Sequence, residues 1–192
     1  MYSNKLKNRN SILIGKGQMR VAKAEDHITE TDFVLTEINS LGYLAEIKLD
    51  ASKEVEVRKS VVSNYPIDIQ SKITDVIIEC EPLEMTVENI TMALGQDNLN
   101  NVNSSLDGFF GIGGESETWW RVEIGVLFPQ GGNKMELVFP KTKIISDFSI
   151  PLMSEEAFKQ TLTYQAADAS FGEPSNAIWM SNPLGIWKFS SN

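Results

Sequence analysis

A single histidine, a single cysteine and a recurring pattern of carboxylates are the residues of this 192-residue chain whose types could do chemistry. His27 sits in the polar run AEDHITETD, where Asp26 and Glu30 are the neighbours that could help it bind a metal or tune a base. No Ser or Cys nucleophile motif accompanies it, so the pattern gives no hydrolase triad and His27 reads as a loop histidine facing water. Cys80 alone allows no internal disulfide and no thiolate metal cluster, and alternation places it among apolar residues as a small buried hydrophobe. The pairs Glu79 with Glu81 and Glu54 with Glu56 could supply the two acids of a glycosidase. Their two-residue spacing in extended runs instead sets them side by side on one solvated strand face. Asp97, Asn98, Asn100 and Asn103 lack the ordered carboxylates of a calcium loop. GKG at Gly15 to Gly17 lacks the length and the Lys-Ser/Thr pair of a phosphate-binding loop, and reads as a turn or bulge between two short strands. The expectation is a chain that is not an enzyme and needs no cofactor or metal.

The acids are positioned by strands. From Ile73 to Gly95, Val76, Ile78 and Cys80 fall on one face of a strand and Ile77, Glu79 and Glu81 on the other. Pro82 lacks an amide donor and should end regular pairing. Thr86 is a plausible N-cap for a helix whose Val87, Ile90 and Leu94 share one face, with Gly95 as its stop. Upstream, Phe33–Ile38 reads as a strand. Tyr43, Ala45, Ile47 and Leu49 then alternate with Leu44, Glu46, Lys48 and Asp50, and Val55 and Val57 alternate with Glu54, Glu56 and Arg58. This predicts a hairpin within 43–58 that has one acidic face, followed by connective chain over 60–70. A second hairpin is predicted from Trp119–Phe128 and Met135–Phe139, with Arg121 and Glu123 on the polar side and the turn at 129–133. Phe158, Gln160, Leu162, Tyr164 and Ala166 mark a further strand, and Trp179 and Trp187 predict a tail tied down by packing.

With 42% apolar and 22% charged residues, the chain has the composition of one globular domain over 1–192, mainly β, a β-sandwich or open barrel with one flanking helix. It shows no apolar run of signal-peptide or membrane-spanning length, so synthesis and retention in the cytoplasm are expected. The net charge of −9 opposes attraction to nucleic-acid phosphates over most of the surface. Charge is uneven: residues 1–23 carry Lys5, Lys7, Arg9, Lys16, Arg20 and Lys23 and no acid. This basic N-terminal arm is either a solvated terminus or a segment that reaches an acidic neighbour of the same kind. A long loop over 96–118 is rich in Asn, Ser and Gly, yet holds Phe109, Phe110 and Ile112, which should dock on this core or on another subunit.

Taken in order, GKGQMRVAKA, LGYLAEIKLDASKEVEVRKS, DVIIECEPLEMTVENITMALG, RVEIGVLFPQGGNKMELVFPKTKI, SEEAFKQTLTYQAAD and NPLGIW resemble the major tail tube proteins of long-tailed bacteriophages. The resemblance covers most of the chain, apart from the loop after Gly95 and the basic arm. It implies a structural virion protein assembled in host cytoplasm into stacked rings, commonly hexamers, that form the tube for genome passage. Its implied partners are other copies of itself, tail tip and terminator proteins and a tape-measure protein, with DNA passing through without specific binding and no membrane involved. Six subunits giving four strands each to one barrel would make a ring roughly 48 Å across, wide enough for duplex DNA. On this reading Glu46, Asp50, Glu54, Glu56, Glu79 and Glu81 are candidates to line the lumen, where they would repel phosphates and let DNA slide. Lys5, Lys7, Arg9, Phe109, Phe110 and Ile112 are candidates for contacts between subunits or rings. Three alternatives stand beside it: an enzyme with a cleft formed by the long loop, the tube protein of a contractile injection or secretion apparatus, and a monomeric β-sandwich that binds carbohydrate or decorates a capsid. The last predicts an exposed aromatic platform drawn from Trp119, Trp120 or Trp179.

Overall fold

The computed structural model describes residues 16–59, 66–83, 92, 118–127, 134–147, 160–170 and 176–190. Seven strands form one antiparallel sheet: β1 (Lys16–Lys23), β2 (Leu44–Lys59), β3 (Pro66–Pro82), β4 (Trp120–Leu127), β5 (Lys134–Ile144), β6 (Leu162–Ala166) and β7 (Ile186–Ser190). Their order is β1-β4-β5-β6-β3-β2, with β7 paired to β5 beside β6. The fold is thus mainly β with an open sheet, as the alternation predicts. The sheet curls until its two ends meet across the core: a Cβ placed on Gly17 of β1 would come within 3.3 Å of Ile47 Cδ1 of β2. Among the described residues no hydrogen-bonded pairing joins those ends, so the sheet is not closed.

The inner face follows the apolar alternation. Met19, Ile78, Val122, Ile124, Leu162 and Tyr164 are buried in one cluster, with Cys80 beside them. Met92, helical and buried, is the one described residue of the helix expected over 87–94, and its sulfur accepts a 3.0 Å hydrogen bond from the Tyr164 hydroxyl. Burial alone pushes the Cys80 thiol up to about 12, and burial is also the main reason the Tyr164 hydroxyl titrates well above its usual range.

Several expectations change. Residues 44–59 are one continuous strand rather than a hairpin, and their partner is β3. Ala51-Ser52-Lys53 offers no Gly, Pro or Asn to favour a reversal, so the chain runs on. Strand β3 already begins at Pro66, inside the stretch read as connective. Phe33–Ile38 forms no strand; it crosses the outer face as a loop ending in a 3-10 turn over Glu37–Asn39. Lys16–Lys23 is one unbroken strand with Met19 and Val21 buried, so Gly17 is strand rather than turn, and the basic segment read as an arm is ordered sheet from Lys16 onward.

Candidate functional site

The outer face divides into a covered part and a bare part. Over β1 and β4 it carries Arg121 and Glu123, both fully buried although their parity suggested a solvated face. Arg121 Nε donates to Glu123 Oε1 at 2.7 Å, and its remaining nitrogens donate to the carbonyls of His27, Glu30 and Asp32. Glu123 accepts the amides of Val34 and Leu35. Trp179, buried in the short helix Ala177–Ser181, donates its indole N–H to the carbonyl of Ile28. The loop over 27–35 therefore lies flat on the sheet because side chains from β4 and the C-terminal helix satisfy its backbone. His27 sits half-buried within it, its Nδ1 2.8 Å from Glu30 Oε2. Among the described residues no group of three His, Cys, Asp or Glu could hold a metal ion.

The bare part is built by β2 and β3. Beyond Ser52 and Asp75 the two strands leave the body as a ribbon in which residues 53–59 and 69–74 are all exposed and Asp68 is half-buried. Its two faces differ. Opposed residues of an antiparallel pair share a face, so Lys48 with Glu79, Asp50 with Ile77, Glu54 with Lys72, Glu56 with Gln70 and Arg58 with Asp68 form one polar wall. Asp75, opposite Ser52, belongs to the same wall, so six carboxylates there face three cations and the wall is net acidic. Lys48 bridges Asp50 at 2.5 Å and Glu79 at 3.2 Å; hydrogen bonds first to Asp50 and then to Glu79 raise its pKa. The other face continues the core: Leu49, Val55, Val57, Ile69 and Ile73 follow on from Ile78 and Val76 and are all exposed.

A bulge makes this separation possible. Ser52 pairs with Asp75 but Lys53 pairs with Ile73, so Thr74 is an extra residue in β3. Were the same sequence to alternate unbroken, Ile73 and Ile69 would share the parity of Asp75 and Glu79 and stand among the acids. Of the expected wall acids, Asp50, Glu54, Glu56 and Glu79 stand on the polar face, and Glu81 follows Glu79 by alternation. Glu46 lies at a second bulge, between the pairs Leu44–Pro82 and Ile47–Cys80. Lys5, Lys7, Arg9, Phe109, Phe110 and Ile112 lie outside the described residues.

The aromatic platform expected of a carbohydrate binder is not assembled from the residues proposed for it. Trp120 and Trp179 are buried, and Trp119, at the margin of exposure, has Lys141 and Lys143 over its ring. Among the described residues the well-exposed aromatics are instead Tyr43, just before β2, and Trp187 and Phe189 on β7. The apolar stripe of the ribbon and the Arg121–Glu123 clamp were not foreseen either. The stripe is hidden in the sequence because Val55 and Val57 alternate with acids as a hairpin arm would, and Ile69 lies in a stretch without that alternation. The chain matches no known family model and no curated protein sequence.

Proposed function

We propose that this chain is the subunit of a phage tail tube, a structural virion protein that assembles into stacked hexameric rings and encloses a negatively lined conduit for the genome. The observation that carries the reading is the ribbon of β2 and β3, which leaves the body with an acidic face, an apolar face and open edges. A two-stranded ribbon is marginally stable in water on its own. Four exposed branched side chains, Val55, Val57, Ile69 and Ile73, on one face of such a ribbon suit a surface that another copy covers. Each could contribute up to about 1.5–3 kcal/mol if fully buried, set against the cost of association. The opposite face would then look into the lumen, where net negative charge repels DNA phosphates and opposes sticking. A head-to-tail contact of this kind is heterologous and can extend into rings and filaments.

Negative-stain electron microscopy and light scattering of the purified protein test the proposal. Rings or tubes are expected, and a monodisperse monomer at high concentration would overturn it. Microscopy of the parent particle then separates a tail tube without a sheath from the tube of a contractile apparatus.

A further inference from the structure

The acidic wall is not uniform. The register connects Asp50 of β2 to Ile77 of β3, Ile77 to Gln165 of β6, and Gln165 to Lys143 of β5, so these four side chains stand in one row on one face. Lys141, two residues before Lys143, shares that face. Arg20, Lys48, Arg121, Lys134 and Lys188 each stand in an ion pair with a carboxylate. Lys141 and Lys143 stand in none among the described residues. Their ammonium groups instead lie 4.6 and 5.4 Å from the centre of the Trp119 ring. An aromatic face attracts a cation but leaves its charge uncancelled.

We propose that Lys141, Lys143 and Trp119 form a contact site for the phosphate groups of nucleic acid, set within the otherwise acidic wall. Two ammonium groups converging on one ring leave donors available to an anion. The nearest wall acid, Asp75 of β3, reaches β6, where it accepts a 3.1 Å hydrogen bond from the side-chain amide of Gln165, the residue opposite Lys143; the other wall acids stand about 10 Å, two strand spacings, from β5. That separation is about one Debye length at physiological salt, so the repulsion of a phosphate by those other acids is largely screened while the lysines act at contact, and Asp75 has its charge turned toward the Gln165 amide. Such a site reads no sequence, because it meets only phosphates. In a ring it would repeat once per subunit, giving passing DNA weak, regularly placed contacts between repelling acids. That role rests on the tail tube reading, whereas the binding itself does not.

The test follows the Trp119 indole N–H resonance of the purified full chain, assigned with Trp119→Phe, during titration at about 100 mM salt with a short DNA duplex and, separately, with pyrophosphate. The duplex is expected to shift the resonance and to bind more tightly than pyrophosphate. The variant Lys141→Gln/Lys143→Gln should lose about ten-fold in affinity and show a salt dependence shallower by about two phosphate contacts. Lys53→Gln, on the opposite face of the ribbon, should change neither. No shift with the duplex, tighter binding of pyrophosphate, or equal duplex binding by the double variant overturns the site. Electron microscopy of the same samples separates the two claims. Rings without duplex binding count against this site alone, and duplex binding without rings counts against the tail tube reading alone.

Discussion

Arg121 and Glu123 show what a single buried pair can organise. The guanidinium takes part in four hydrogen bonds, three of them to carbonyls of the loop over 27–35, and the carboxylate caps two amides of the same loop. Arg121→Met leaves Glu123 as an uncompensated buried charge and orphans three carbonyls, so a loss of about 3–5 kcal/mol is expected in urea unfolding. Changing both residues to apolar ones should still destabilise, unlike the replacement of a simple buried pair, because the loop loses its donors in either case. A single variant within about 1 kcal/mol of the parent would show that the loop is held by something else. Cys80 gives a second prediction. Its thiol ordinarily titrates near 9.0 and is pushed up to about 12 in the fold, so between those values the unfolded chain releases a proton that the folded chain keeps. Stability is therefore full below about pH 9 and is lost progressively toward 12, by up to about 1.4 kcal/mol per pH unit from this group. The raised Tyr164 hydroxyl acts in the same direction at higher pH. Cys80→Ala should flatten the first part of this alkaline decline in urea unfolding across pH, and an unchanged slope would exclude the thiol as its source.

The ribbon of β2 and β3 is the element on which assembly is proposed to turn. Val55→Lys with Ile69→Lys places two charges on its apolar face at positions already exposed, so monomer stability should change by less than about 0.5 kcal/mol. Rings should be lost in microscopy of the same preparation; tubes of ordinary appearance would remove the apolar face from the assembly contact. The strands themselves were legible where alternation runs unbroken, as at Val76 to Cys80, Val122 to Ile124 and Leu162 to Ala166. Their pairing was less so. Two-residue periodicity fixes which residues share a face but says nothing of which strand lies alongside, so the acids of β2 were assigned to a hairpin of their own. The burial of Arg121 and Glu123 was hidden for a related reason. The loop groups that they bond lie 88–94 residues earlier in the chain, and backbone carbonyls and amides leave no side-chain signature.

At the scale of the whole molecule, net charge and its placement make different predictions. A chain of charge −9 would repel DNA wherever it met it, but the wall of β2 and β3 concentrates that repulsion on one face of one sheet. If that face lines a conduit, replacing Glu54, Glu56 and Glu79 by Lys adds six positive charge units per subunit to the wall while leaving the apolar face of the ribbon untouched. Rings should still form, because none of the three carboxylates is buried. Each new lysine would join Lys141 and Lys143 in holding phosphate, so DNA should leave such particles slowly or stall. Raising the salt should partly restore its passage as counterions compete. Lys141→Gln/Lys143→Gln should act the other way, leaving passage as fast as or faster than in the parent. Ejection kinetics from particles carrying each variant decide between these directions, and parent-like release from the lysine-substituted wall would place the acidic face outside the conduit.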